Sequence, residues 1–176
     1  TEGVVFRPDQ IVIDNDPDGA PFAALLDDSS SEVVRLPWSL SFSHSNGAAY
    51  SAVHPTAIVG ADMERIESRE WNFVRAYFSQ HENDLVESLS HEEQDLMVTA
   101  IWSGKESVLK VLREGLRLDT RLLTCLFDVS LSSTTTWVPY EISLQASLSK
   151  PTARWSGWWR LWQNELPFVL TLAVRE

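Results

Sequence analysis

Two acidic residues on one predicted strand carry the first chemical signal in this sequence. Asp62 and Glu64 fall in an alternating stretch, residues 57–64, whose period of two places both side chains on the same face. Strand geometry separates them by roughly 7 Å at the backbone. Carboxylates this close repel one another unless a cation, a base or a raised pKa relieves the repulsion. A hard divalent ion suits the pair, and Mg²⁺ suits it best if a phosphate completes the coordination shell.

A second pair, Glu106 and Lys110, lies one helical turn apart in a predicted long helix. Apolar residues recur at helical spacing over residues 91–112, and a capping box at residues 90–93 opens the helix. Taken alone, a carboxylate and an ammonium on one helical stripe are most often a solvated ion pair. Gly104 costs about 1 kcal/mol relative to alanine inside a helix, which predicts that something packs or binds close to it.

Ser43 and His44 form a third candidate group, at the end of a predicted strand. Residues 38–43 alternate apolar and hydroxyl side chains, and a glycine turn follows before residues 48–53 return as a hairpin partner. At such a strand end, hydroxyl, imidazole and backbone N–H groups could bind a phosphate together. His44 could equally do no more than hydrogen-bond the turn, and these residues alone leave both interpretations open.

The composition limits the class of protein. The chain has 176 residues, 44% of them hydrophobic, and a formal net charge of −11, so it predicts a globular domain that does not bind nucleic acid. No apolar run or leading segment predicts a membrane span or a signal peptide. The single cysteine, Cys125, lies in an apolar run, which predicts a buried thiol and fits a cytoplasmic location.

From residue 122 onward the pattern becomes that of a β-sheet. Strands are predicted over residues 122–132, 137–148, 153–163 and 168–175, and short connections favour antiparallel pairing. Before them come two helices, at residues 70–80 and from 79 to 89.

The ordered set of motifs resembles the 4′-phosphopantetheinyl transferase superfamily, most closely the surfactin-synthetase-activating type. The motifs are Ser43-His44, Gly60-Ala61-Asp62-Met63-Glu64, Phe78-Ser79-Gln80-His81-Glu82, and Trp102 to Lys110. The resemblance covers roughly residues 18 to 125. It implies an α+β fold in which a long helix packs across an antiparallel sheet. We expect one domain over residues 1–176, with 1–37 as an N-terminal remnant or linker and 38–176 as the core.

The resemblance also implies an activity, namely Mg²⁺-dependent transfer of 4′-phosphopantetheine from coenzyme A to a serine of an acyl or peptidyl carrier protein, releasing 3′,5′-ADP. The residues implied as metal ligands are Asp62, Glu64 and Glu106. Glu106 would also act as the catalytic base, and Lys110 as the catalytic counter-charge. The residues implied in coenzyme A binding are Ser43, His44, Trp102, Lys105 and Lys110.

Two departures from the family pattern leave an alternative open. The surfactin-synthetase-activating type has Gly-Lys-Pro where this chain has Gly19-Ala20-Pro21, and the segment before Asp62 is too short for a full first half. We expect a domain trimmed from a larger megasynthase or an enzyme with a shortened N-terminal half, acting as a monomer or a homotrimer. The alternative is a catalytically silent pseudo-transferase that serves as a structural or carrier-docking module. The basic residues within 101–125 are the expected docking face for an acidic carrier.

Overall fold

A computed structural model describes residues 7–26, 33–128, 130, 135–148, 152–163 and 165–176. Ten β-strands and three α-helices lie within these residues. The strands are β1 (Ile11–Asn15), β2 (Pro21–Leu26), β3 (Val33–Arg35), β4 (Ser39–Ser45), β5 (Ala48–His54), β6 (Ile58–Arg65), β7 (Leu123–Leu126), β8 (Val138–Leu144), β9 (Trp155–Gln163) and β10 (Pro167–Arg175). The helices are α1 (Trp71–Tyr77), α2 (Gln80–Ser88) and α3 (His91–Leu112).

A five-stranded antiparallel sheet with α3 packed across it forms the centre of the fold. The strand order is β6-β10-β9-β8-β7, and α3 packs against β6 and β10. Ile101, Val108 and Leu109 of α3 are buried against sheet residues such as Trp159 and Val169. The predicted α+β fold, an antiparallel sheet with a long helix across it, is therefore confirmed. None of the helices among the described residues is both long and apolar enough to cross a membrane.

The predicted helix boundaries are confirmed at α3 and corrected before it. The capping box of Ser90 and Glu93 opens α3 as predicted. The helix predicted over residues 70–80 ends earlier, at Tyr77, because Ser79 caps the next helix. The Ser79 side chain accepts a hydrogen bond from the Glu82 backbone N–H, and the Glu82 carboxylate accepts one from the Ser79 N–H.

Two glycines allow other chain segments to approach closely. A Cβ atom at Gly60 on β6 would overlap the backbone carbonyl oxygen of Ser107, so only glycine lets α3 lie this close to the strand. A Cβ atom at Gly104 would lie 3.0 Å from the Phe127 ring and 3.3 Å from Cys125. The prediction that a group packs close to Gly104 is thereby confirmed, and Cys125 is the buried thiol that its apolar surroundings predicted.

We expect Gly60→Ala to destabilise the fold by about 3 kcal/mol or more, the upper end of overpacking costs, because the obstructing atom belongs to helix backbone. Gly104→Ala is the matched control, since its added methyl meets side-chain atoms of Phe127 and Cys125 at 3.0 and 3.3 Å and no backbone atom. Its stability should stay within about 1 kcal/mol of wild type, because overpacking opposes the gain in helix propensity. Urea unfolding of both variants measures the difference, and equal stabilities would refute this account of Gly60.

The predicted hairpin of β4 and β5 is confirmed, and β4 lies along the outer edge of β6. Three serines on alternate positions of β4 bind the edge strand through their hydroxyl groups. The hydrogen bonds run from Val59 N to Ser39 Oγ (3.0 Å), from Ala61 N to Ser41 Oγ (2.8 Å), and from Met63 N to Ser43 Oγ (3.2 Å). Side chains thus satisfy backbone N–H groups that a neighbouring strand would otherwise bind, and they bring Ser43 beside Asp62.

The segment expected to be a remnant or linker contains a small antiparallel sheet, β1-β2-β3. Its first hairpin turns at Gly19, whose φ of 86° favours glycine. Asp16 accepts hydrogen bonds from Arg35 and from Arg113, and Arg113 also binds Asp18. Because Arg113 is the C-cap residue of α3, this ion network ties the turn to the end of the long helix.

Candidate active site

Asp62 lies at the centre of the candidate site and is only 4% exposed. Its Oδ1 atom accepts hydrogen bonds from Ser43 Oγ (2.9 Å) and Lys110 Nζ (2.8 Å), and its Oδ2 atom accepts one from Ser103 Oγ (2.8 Å). Lys110 also donates to the Ala61 carbonyl oxygen at 2.8 Å. One donor from β4 and two from α3 therefore hold the carboxylate that β6 presents.

Glu64 and Glu106 lie within electrostatic range of this carboxylate. Burial first, and repulsion from Asp62 second, raise the pKa of Glu64, although Arg69 Nη2 lies 3.1 Å from its Oε2 atom. The same two causes raise the pKa of Glu106 to about 7, with Lys110 opposing the rise and Glu64 adding to it. The structure thus brings all three predicted acidic residues into one electrostatically coupled group.

The chemistry of the three acidic side chains suits a Mg²⁺ ion. They offer only oxygen donors, and their mutual repulsion is what a bound divalent cation would relieve. Across the described parts of the chain, however, no three His, Cys, Asp or Glu side chains are gathered closely enough to ligate one ion. In this arrangement Lys110 and Arg69 provide the positive charge beside Asp62 and Glu64.

A cavity of about 370 Å³ opens beside Glu106 and Lys110. It is bounded by the C-terminal half of α3 with Arg113, by β4 at residues 40–42, and by the turn at residues 18–21. This volume is in the range of small-molecule sites. The cavity combines cationic side chains with a carboxylate of raised pKa, so it can hold an anionic ligand next to a group able to accept a proton. The Gly19-Ala20-Pro21 segment lines the same cavity.

Lys105 does not face this cavity, and its predicted role in binding coenzyme A is wrong. The side chain is fully buried, and its Nζ atom lies 2.7 Å from Glu82 Oε2. It also donates to the carbonyl oxygens of Thr120 (2.8 Å) and Leu123 (2.6 Å). Successive helical residues point in directions about 100° apart, so Lys105 enters the core while its neighbour Glu106 faces the cavity.

The other residues predicted to bind only coenzyme A, which are Ser43, His44 and Trp102, lie in three different surroundings. Ser43 contacts Asp62, as described above. His44 is exposed and lines a separate depression together with Phe42 and Tyr50. Trp102 is 8% exposed and packs against Phe73 and Tyr77, with ring centroids 4.9 and 5.3 Å away. Trp102 also hydrogen-bonds the Glu64 side chain. The roles of these residues toward a ligand stay predictions.

Several residues of the site were not singled out from the sequence. Ser103 and Ser107 lie one helical turn apart on the buried face of α3, and both bind the Thr171 hydroxyl of β10. Their four-residue spacing on a buried helix was a usable signal. Arg69 gave no signal, because it lies in the irregular segment between β6 and α1.

The basic segment at residues 101–125 is less free than its composition suggests. Lys105 is buried, Lys110 pairs with Asp62, and Arg121 pairs with Asp119 at 2.7 Å. Arg117 is exposed, with its Nε atom 3.8 Å from Glu114. The carrier-docking role of this segment stays a prediction, and most of its positive charge is already balanced within the chain.

Comparisons with known proteins identify a family and a similar solved structure. The profile of the 4′-phosphopantetheinyl transferase superfamily matches residues 58–158, which contain the three acidic residues and Lys110. Among solved structures, the chain is similar to holo-[acyl-carrier-protein] synthase from Thermotoga maritima, with 18% sequence identity and a TM-score of 0.48. That match covers 67% of this chain and 62% of the other. No curated protein matches the sequence significantly.

Proposed function

Because the chain belongs to the 4′-phosphopantetheinyl transferase superfamily, we propose that it transfers 4′-phosphopantetheine from coenzyme A to a serine of an acyl or peptidyl carrier protein. The observation that carries the proposal is the position of Glu106 beside both Lys110 and Asp62 at the wall of the cavity. Phosphoryl transfer needs mainly positioning and charge neutralisation, and these residues supply an acceptor for a proton and a cation for a phosphate.

In the proposed reaction the Glu106 carboxylate accepts the proton of the carrier serine, directly or through a water molecule. The serine oxygen forms a bond to the phosphorus that carries pantetheine, and the bond to the bridging pyrophosphate oxygen breaks, which releases 3′,5′-ADP. Without a bound metal, burial and then repulsion from Asp62 raise the pKa of Glu106 to about 7, and a bound cation would favour the ionised form that accepts a proton. Lys110, whose side chain is 29% exposed, remains accessible to phosphate oxygens.

Asp62, Glu64 and Glu106 would hold a Mg²⁺ ion once their carboxylates come closer together than they lie in this structure. The ion, when bound, would neutralise charge on the pyrophosphate. Ser43 orients Asp62 from the β4 side, and Trp102 orients Glu64 through a side-chain hydrogen bond. His44 would contact coenzyme A at the edge of the site. We place the reaction in the cytoplasm, where coenzyme A and carrier proteins meet.

The direct test incubates the protein with coenzyme A, Mg²⁺ and several apo carrier proteins and measures the carrier mass. Transfer adds one phosphopantetheine group to the carrier, and the gain should disappear when Mg²⁺ is chelated. No gain in mass with any carrier would refute the proposal for this chain.

A catalytically silent, carrier-docking module is the second candidate. It is favoured by Ala20, which stands at the cavity where a lysine is expected, and by the three hydrogen bonds that already engage Asp62. This alternative predicts carrier binding by calorimetry without any mass gain. The two outcomes separate the candidates in one set of samples.

A further inference from the structure

A chain of buried hydroxyl groups leads from the core to Asp62. Ser103, Ser107 and Thr171 are fully buried. The Thr171 Oγ1 atom lies 2.7 Å from Ser107 Oγ and 2.8 Å from Ser103 Oγ, and Ser103 Oγ lies 2.8 Å from Asp62 Oδ2. Among the hydrogen bonds of the described residues, Ser103 Oγ is the one donor to Asp62 Oδ2.

Sheet register brings Thr171 to this position. Thr171 on β10 is the direct cross-strand partner of Asp62 on β6, so both side chains face α3. Gly60 lets the helix come close enough for Ser103 and Ser107 to reach the sheet hydroxyl. Thr171 lies beyond residues 58–158, the part of the chain that the family profile matches.

The direction of the hydrogen bonds follows from counting protons. An ionised carboxylate only accepts, so Ser103 must donate its single hydroxyl proton to Asp62. The Thr171 hydroxyl must then donate to Ser103, where its proton is shared between Ser103 Oγ at 2.8 Å and the Ser103 backbone oxygen at 2.9 Å. Ser107 must therefore donate to Thr171. Each donor strengthens the next, since linked hydrogen bonds polarise one another in a buried setting.

We propose that Thr171 is a positioning residue of the active site, which fixes the orientation of the Asp62 carboxylate through Ser103. The catalytic part of this inference rests on the proposed function, whereas the geometric part does not. Without the Thr171 hydroxyl, Ser103 loses the partner that holds its rotamer, and the Asp62 carboxylate is held only from its Oδ1 side. The reaction would then depend on a less well-oriented carboxylate.

The test compares Thr171→Val, which keeps the shape but removes the hydroxyl, with Thr171→Ser, which keeps the hydroxyl. Thr99→Val is the matched control, because Thr99 is also fully buried and its hydroxyl donates to the Asp95 carbonyl oxygen of its own helix at 2.8 Å. We expect Thr171→Val to lower kcat about 10-fold or more, with KM for the carrier unchanged, as typical losses of supporting partners do. Thr171→Ser should stay within about 3-fold of wild type and Thr99→Val within about 2-fold.

Crystal structures of the same variants give a readout that does not depend on activity. The hydrogen bond between Ser103 Oγ and Asp62 Oδ2 should be kept in Thr171→Ser and Thr99→Val and lost or displaced in Thr171→Val. An intact bond in Thr171→Val, or equal kcat losses in Thr171→Val and Thr99→Val, would overturn the inference. If wild type shows no transfer, the proposed function fails while the structural comparison still decides the role of Thr171.

If Thr171→Val does not fold, Thr171→Cys takes its place beside Thr171→Ser. These two variants share a shape and differ only in whether the donor is a strong hydroxyl or a weak thiol. The inference then requires a lower kcat and a displaced Asp62 carboxylate in the cysteine variant. Identical behaviour of the two variants would refute it.

Discussion

Replacing Glu106 by glutamine is expected to lower the rate of transfer about 10³-fold or more while leaving the fold intact. The amide keeps the size of the side chain but cannot accept the serine proton or contribute charge to a metal site. Glu87→Gln on α2 is the matched control, because Glu87 is exposed and distant in sequence from the acidic group. The measurement is carrier mass against time, with circular dichroism to check folding. Turnover in Glu106→Gln equal to that of the control would remove Glu106 from the mechanism.

The same variant should also change how stability depends on pH in metal-free protein. Burial and then repulsion from Asp62 raise the pKa of Glu106 from 4.5 to about 7 in the folded state. Below pH 4.5 the carboxyl is protonated in both states, so its contribution to stability is fully present. As pH rises from 4.5 to 7, the unfolded state ionises first and stability is lost, by at most about 3 kcal/mol.

Glu106→Gln should not show this loss, because its amide does not titrate. Urea unfolding in the presence of EDTA at pH 4.5, 6 and 8 gives the comparison. We expect the variant to gain stability relative to wild type as pH rises through this window. A constant difference between the two proteins would contradict the raised pKa.

The two lysines of the long helix should respond in opposite ways to replacement by methionine. Lys105→Met leaves the Glu82 carboxylate buried without its cation, which typically costs about 3–5 kcal/mol. Lys110→Met removes a partly exposed side chain, and Asp62 keeps its hydrogen bonds from Ser43 and Ser103, so the stability cost should be about 1 kcal/mol. Transfer should instead fall about 100-fold or more in Lys110→Met, because the phosphate loses its counter-charge.

Urea unfolding and the mass assay on both variants measure these two effects. The double variant Glu82→Gln/Lys105→Met should recover part of the stability lost in Lys105→Met, since no buried charge remains unpaired. If Lys105→Met has normal stability but binds coenzyme A poorly, Lys105 takes part in ligand binding and the structural role argued here is wrong. The two variants thus compare a lysine that stabilises the core with a lysine that serves the reaction, within one helix.

Local periodicity explains how much of the site could be predicted. The four-residue spacing of Glu106 and Lys110 guaranteed a shared helical face, and alternation along β6 placed Asp62 and Glu64 together. The serine alternation on β4 correctly indicated a strand, although its hydroxyls bind the edge of β6 rather than solvent. Helical spacing alone could not distinguish Lys105 from Lys110, because their burial depends on segments far away in the chain.

The sequence by itself determined the long helix, the hairpin of β4 and β5, the buried cysteine and the residues able to hold charge at the site, because these follow from patterns a few residues long. Tertiary structure alone decided that Lys105 pairs with Glu82 in the core and that Thr171 lies opposite Asp62. It also decided that Asp62 is held by three hydrogen-bond donors, one from β4 and two from α3. Strand register and side-chain depth are set by packing between distant segments, and no short sequence pattern encodes them.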